Sequence, residues 1–232
     1  MIHIGAHEGQ EVSLYQQYNF DKVFLVEPIL ECVEIIKQKI KNLDNYEVFN
    51  YALGAKNGNA NLYIADGIDE PSSSLLTPRE SSITFSRERE VELRTFQSLN
   101  LDAVDSVVID TQGYEVEVLK GFGDKIYDLN FAIIEFANYE GYVKQPTYKE
   151  LNIFMKKRGF IVVDQIKRIN SPFPTVNSGS YGDALFVNTK YLTLIQQFRF
   201  NIKFLFLNNV ATDFLIFTKK NLKRNLKKLL GT

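Results

Sequence analysis

Three carboxylates, Glu27, Asp110 and Glu135, each end a short apolar run, and His7 sits inside a glycine-bearing turn, Gly5-Ala6-His7-Glu8-Gly9. These residue types suit ligand holding and proton transfer. An acid at the tip of the second strand of a βαβ unit accepts hydrogen bonds from both hydroxyls of a ribose. Glu27, 22 residues after Gly5, has that spacing. Asp110 or Glu135 can act as general base for a hydroxyl, a role that needs reach before it needs a tuned pKa. His7 is a second base candidate, because an imidazole titrates near neutrality; a hydrogen bond that positions a ligand is its preferred reading. Acids at strand–helix turns also cap helices. Three of them converging on one sheet edge are harder to assign to capping. His3, inside an apolar strand, reads as structural.

The element that positions these groups is the opening stretch, MIHIGAHEG. A strand through Ile2 and Ile4 runs into the glycine turn, and a helix is expected over Gln10–Tyr18. Glycines let the backbone come close to a ligand, and a helix N-terminus offers free N–H groups. A dinucleotide site would require Gly-x-Gly-x-x-Gly, and His7 occupies the middle glycine. A side chain there obstructs a pyrophosphate, so a ligand with a smaller linker fits better.

Further along, a strand over Lys22–Val26, a helix over Leu30–Asn42 and a strand over Glu47–Asn50 are expected from periodicity. Ala52–Ala65, punctuated by Lys56-Asn57-Gly58, reads as a hairpin with Asn61–Ile64 as its second arm. Gly67–Ser86 is polar and reads as a solvated loop or as a lid over the site. Glu90–Arg94 alternates like a strand and a helical turn follows at Phe96–Leu99. Val107-Val108-Ile109 is continuous enough for a strand buried on both faces. A helix over Glu115–Phe122, a strand over Phe131–Glu135, a helix over Pro146–Arg158 stopped by Gly159, and strands over Phe160–Asp164 and Ala184–Val187 complete the pattern. Alternating strands and helices imply a mostly parallel, doubly wound α/β sheet, whose ligands sit beyond the strand C-termini.

The 232 residues suffice for one domain with a sizeable core. No apolar run is long enough to span a bilayer, and a signal-peptide pattern is absent. The single cysteine, Cys32, cannot form an internal disulfide; it fits a reducing compartment, so a cytoplasmic location is expected. Two histidines and one cysteine supply no His/Cys metal constellation, and no metal is expected.

At these residues the sequence resembles the FkbM-type methyltransferases, a branch of the class I S-adenosylmethionine-dependent enzymes. The stretches that carry the resemblance are IHIGAHEGQ, VEP at 26–28, NYALG at 50–54, SSSLL at 72–76, VVIDTQGYEVEVLKG at 107–121, IIEF at 133–136 and GDALFV at 182–187. The resemblance implies a Rossmann-like seven-stranded sheet of order 3-2-1-4-5-7-6, its last strand antiparallel, with helices on both faces. It implies S-adenosyl-L-methionine as cofactor and O-methylation of a sugar, glycan or related small-molecule hydroxyl. Gly5, Ala6, His7 and Gly9 would then border the methionine part, Glu27 and Pro28 the ribose, and Asn50, Tyr51 and Ala52 the adenine. Asp110 and Gln112 would face the methyl and the acceptor. His3 stands where many class I members carry an acid.

The resemblance covers about residues 1–188, and the domain is expected over 1–190, leaving 191–232 as an extension. Residues 198–232 hold eight Lys/Arg and one acid, a net of +7, so the preceding residues carry −8. Leu222, Leu226, Leu229 and Leu230 recur at helical spacing after a phenylalanine-rich half. A terminal helix with a solvated basic end is the preferred reading; the alternative is an interfacial helix on the anionic inner face of a membrane. The exposed edge of the site is open to this segment or to a partner subunit of a homo-oligomer. Nucleic acid is not an expected partner, because the acidic remainder repels phosphates. Two other readings stand beside the enzyme: a non-catalytic methyltransferase-like binding module in a glycan-assembly complex, and a nicotinamide oxidoreductase, against which His7 argues.

Overall fold

The computed structural model describes residues 1–18, 20–79, 83–101, 104–169 and 180–193. The extension is described only at 191–193, so the expected basic helix lies outside the described residues. In chain order the elements are β1 (Ile2–Ile4), α1 (Val12–Tyr15), β2 (Val23–Val26), α2 (Leu30–Ile40), β3 (Tyr46–Phe49), β4 (Ala52–Leu53), β5 (Gly58–Ile64), β6 (Arg87–Arg94), β7 (Ser106–Ile109), α3 (Glu115–Lys120), β8 (Phe131–Ala137), α4 (Tyr148–Lys156), β9 (Phe160–Ile169) and β10 (Ser180–Asn188).

Seven strands form one sheet in the order β3-β2-β1-β7-β8-β10-β9. The first five run parallel, and β10 is antiparallel to both β8 and β9. Counted along the chain within this sheet, the order is 3-2-1-4-5-7-6, as the resemblance implied.

Alternation along each strand divides the sheet into two buried faces. Ile2, Ile4, Val107, Ile109 and Ile134 pack with Val118 and Leu119 of α3 and with Leu151 and Met155 of α4. Leu25, Val108 and Ile133 pack on the opposite side with Val12 and Tyr15 of α1 and Ile36 and Ile40 of α2. Continuous apolar strands are therefore what two covered faces require. Each fully buried Ile or Leu contributes about 1.5–3 kcal/mol relative to exposure.

The structure corrects several sequence expectations. The first helix is shorter than Gln10–Tyr18: Val12–Tyr15 is α-helical and Gln16–Tyr18 continues as a 3-10 turn. α4 starts after Pro146. Its N-cap is Thr147, in a capping box with Glu150 in which each residue's side chain holds the other's backbone N–H. The segment 52–65 is not a hairpin. β4 and β5 do not pair with each other; β6 lies between them, parallel to β4 and antiparallel to β5, in a separate three-stranded sheet. Within 67–79 a 3-10 turn, Gly67–Ser72, is followed by bridges from Ser74 to Tyr63 and from Pro78 to Tyr142. Among the described residues no helix is long and apolar enough to cross a membrane.

Candidate functional site

A cavity of about 280 Å³ opens where β1, β2 and β7 end. Gly5, Ala6, His7, Glu27, Pro28, Tyr51, Ala52, Asp110 and Gln112 all line it. Gly9, Asn50 and Glu135 are absent from the lining. Gly9 instead backs onto Ile36 and Val12. Asn50 donates its side-chain amide to the carbonyls of Glu27 and Pro28, 3.0 Å each, and so holds the β2 turn. Glu135 stands behind the cavity wall, reached through Gln112.

The glycine turn is shaped by the protein's own backbone. Gly5 has φ +80°, and a Cβ there would lie 1.8 Å from the Asp110 carbonyl oxygen. Its lack of a side chain serves the contact between two strand ends, a role the sequence reading gave to ligand approach. The Gly5 and Ala6 N–H groups donate to the Val26 carbonyl. His7, at φ +45°, points its backbone N–H to Glu27 Oε2 at 2.8 Å, and Ile29 donates to Glu27 Oε1 at 2.9 Å. Glu27 is thus buried, with each carboxylate oxygen accepting a backbone N–H. His7 Nδ1 lies 2.7 Å from Gln10 Nε2.

On the adenine side expected from the resemblance, Tyr51 stacks on Phe49 with ring centroids 5.5 Å apart. The Arg94 guanidinium lies 4.6 Å from the Tyr51 centroid, a cation–π geometry. Burial pushes the Tyr51 phenol up to about 12.

Beyond Asp110 the chain makes two successive left-handed residues, Gln112 (φ +52°) and Gly113 (φ +98°). That backbone turns the Gln112 side chain back over the sheet. Its amide nitrogen donates to Asp110 Oδ1 and to Glu135 Oε2, 2.8 Å each. Asp110 is exposed to the opening and Glu135 is half-buried. Burial, then the charges of Asp110 and Glu115, hold the Glu135 carboxyl well above the usual carboxylate range. Among the described residues no three His, Cys, Asp or Glu side chains group as metal ligands.

Four contributors were missed in the sequence. Asp183 lines the cavity and lies opposite Glu135 in the antiparallel register; an acid directly before the apolar run Ala184–Val187 was its available signal. His3 also lines the cavity, with Nδ1 3.1 Å from the Tyr15 hydroxyl. Ser74, nearly buried, donates to the Gln112 carbonyl at 2.8 Å and carries Ser73 and Leu75 onto the cavity wall. This puts the 67–79 loop over the site. Glu115 accepts from the Thr111 and Gly113 N–H groups at 3.1 and 2.9 Å. Its signal was an acid in the first turn of a helix behind a glycine.

The family model for the FkbM methyltransferase domain matches residues 3–162. No curated protein sequence matches the chain significantly. The methyltransferase FkbM of Methylobacillus flagellatus KT aligns over 81% of this chain at 15% identity, with a TM-score of 0.49. This chain covers only 42% of that protein. TYW2 of M. jannaschii, in complex with AdoMet, aligns over 81% of this chain and 68% of its own at 18% identity, TM-score 0.41. The magnesium protoporphyrin IX methyltransferase of Synechocystis PCC 6803 with bound SAM aligns over 79% and 68% at 12% identity, TM-score 0.44. At these identities the likenesses concern fold. The family match spans well over half of the chain and includes the ends of β1, β2 and β7 that border the cavity, and the chain belongs to the FkbM methyltransferase domain family.

Proposed function

We propose that this S-adenosylmethionine-dependent methyltransferase transfers its methyl group to a hydroxyl of a sugar, glycan or related small molecule. The observation that carries the reading is the juxtaposition, across one cavity, of Glu27 beyond β2 with Asp110 and Gln112 beyond β7. The two ends of the cavity have different chemistry. Glu27 turns a carboxylate held by two backbone N–H groups toward vicinal hydroxyls, while Asp110 offers an exposed carboxylate to a proton.

The cofactor fits the donors on the wall. Among the described lining residues are Glu11, Glu27, Asp110 and Asp183, and no Lys or Arg. Such a lining favours a cationic ligand and disfavours a pyrophosphate. S-adenosylmethionine supplies an electrophilic methyl on a sulfonium, so the protein's task is alignment and proton removal. Glu27 and the Tyr51–Ala52 wall orient the nucleoside. Asp110 would accept the proton that the acceptor's hydroxyl gives up as its oxygen takes the methyl and the methyl–sulfur bond breaks, and the Gln112 amide fixes that carboxylate. The loop carried by Ser74 narrows the opening and excludes water.

The competing reading, a binding module without catalysis, draws on His3, an imidazole bonded to Tyr15 where an acid is common in the wider class. Calorimetric titration of the protein with S-adenosylmethionine, its demethylated product and NADH, repeated on Glu27→Ala, tests the cofactor. Binding of the first two, weakened in the variant, is expected. A screen of neutral sugars with methyl-labelled cofactor then tests the reaction. Asp110→Asn should lower transfer about 10²–10⁴-fold while leaving cofactor binding intact. Unchanged transfer would remove Asp110 as base, and an absence of transfer to any acceptor would favour the binding module.

A further inference from the structure

The Asp110–Glu135 arrangement depends on an unusual backbone. Two left-handed residues in succession, one of them not glycine, cost free energy unless neighbouring contacts fix them. Gln112 is in that state, and its conformation determines where the amide nitrogen lies. Among the described contacts, one group holds the backbone N–H of the residue on each side of Gln112. Glu115 Oε1 accepts from Thr111 N at 3.1 Å, from Thr111 Oγ1 at 3.3 Å and from Gly113 N at 2.9 Å. The Gln112 carbonyl, facing away, takes the Ser74 hydroxyl. Gly113 cannot easily be replaced, because a Cβ would lie 3.0 Å from Gln145 and φ is +98°.

The geometry points to Glu115 as a positioning residue: by clamping the N–H groups of Thr111 and Gly113 it holds Gln112 left-handed, so that one amide nitrogen spans Asp110 and Glu135. The inference rests on the reading of Asp110 as the base. Glu115 does not itself line the cavity. It is buried at the first turn of α3, so it acts through the turn. Removing it frees the backbone N–H groups, relaxes Gln112 and leaves the two carboxylates without a common donor. A glutamine at 115 keeps the accepting oxygen and should preserve the turn.

The test uses nuclear magnetic resonance on the whole chain without cofactor or acceptor. The Gln112 side-chain amide signals are assigned by their loss in Gln112→Leu. In wild type the Thr111 and Gly113 amides should exchange about 100-fold or more slower than in an unstructured chain. In Glu115→Leu the Gln112 side-chain protons should exchange about tenfold faster and lose their distinct shifts, whereas Glu115→Gln should keep both signatures. A role confined to helix packing would not move the Gln112 side chain. A folded Glu115→Leu with unchanged Gln112 signals would overturn the inference. So would Glu115→Gln losing them as fully as Glu115→Leu. If Glu115→Leu does not fold, the wild-type exchange decides, since Thr111 and Gly113 amides exchanging at free-chain rates would also overturn it. Calorimetry with S-adenosylmethionine on the wild type reports separately on the functional reading, so a failed cofactor site and a failed clamp are told apart.

Discussion

Gly5 and Asp110 meet so closely that a Cβ on Gly5 would lie 1.8 Å from the Asp110 carbonyl oxygen. The two strand ends, β1 and β7, are therefore locked together at the place where the cavity begins. Gly5→Ala must push the Asp110 turn away and strain a φ of +80°. A loss of at least about 3 kcal/mol of stability is expected, read by urea unfolding. Ala6→Gly, at the next position, serves as the control and should cost about 1 kcal/mol.

Glu27 makes a second prediction. Its carboxylate holds two backbone N–H groups and is expected to take the ribose hydroxyls. Glu27→Ala should weaken S-adenosylmethionine binding about 30-fold, the equivalent of about 2 kcal/mol. A 2′,3′-dideoxy analogue of the demethylated product should bind wild type and variant with equal affinity. If the variant weakened the analogue as much as the natural compound, Glu27 would be acting only through the His7 turn.

Burial of Glu115 produces a pH dependence of stability. Its carboxyl is pushed from the ordinary 4.5 up to about 7 by desolvation, against the hydrogen bonds it accepts. Between these values the folded protein holds a proton that the unfolded chain has released. Stability therefore falls as pH rises from about 4.5 to about 7 and levels off above, with a contribution of about 3 kcal/mol at most. Glu135, also raised, acts in the same direction. Urea unfolding at pH 5, 6, 7 and 8 should show this decline, and Glu115→Gln should flatten part of it. A wild-type profile rising from pH 5 to 8 would contradict the assignment.

The start of α4 offers a local test. Thr147 and Glu150 form a reciprocal capping box, so Thr147→Ala should cost about 1 kcal/mol. Glu150→Ala should cost less, and the double variant less than the sum, because the two substitutions remove one shared device.

Much of the large sheet was legible in the sequence because its signals are local. Val107-Val108-Ile109 suits a strand covered on both faces, and Glu27 and Asp110 were picked out from their place at strand tips. The small sheet was misread because partner choice is not local. Lys56-Asn57-Gly58 has hairpin chemistry, yet Asn57 Oδ1 accepts from Thr95 N and Ser98 Oγ, across the chain from its own turn. That contact brings β6 in beside β5, and nothing in residues 52–65 announces it. Glu115 was passed over for a related reason. An acid at a helix start is ordinarily explained by the helix dipole, and only the left-handed backbone of Gln112 and Gly113 shows what else it holds. Asn50 shows the reverse. Its sequence neighbours suggested a ligand, and its amide is committed to the Glu27 and Pro28 carbonyls.

The placement of β10 between β8 and β9 has a consequence for how the protein is made. Its partners on either side, Phe131–Ala137 and Phe160–Ile169, precede it on the chain. While the ribosome is still short of residue 188, β8 carries an open hydrogen-bonding edge and β9 has no partner in the sheet. Five parallel strands can assemble during synthesis, but the sheet is completed only when its last strand pairs with the β8 edge and brings β9 in beyond it. A nascent chain stalled between β9 and β10 is the form most exposed to strand-edge pairing with other chains, and holding factors that recognise such edges would find it there.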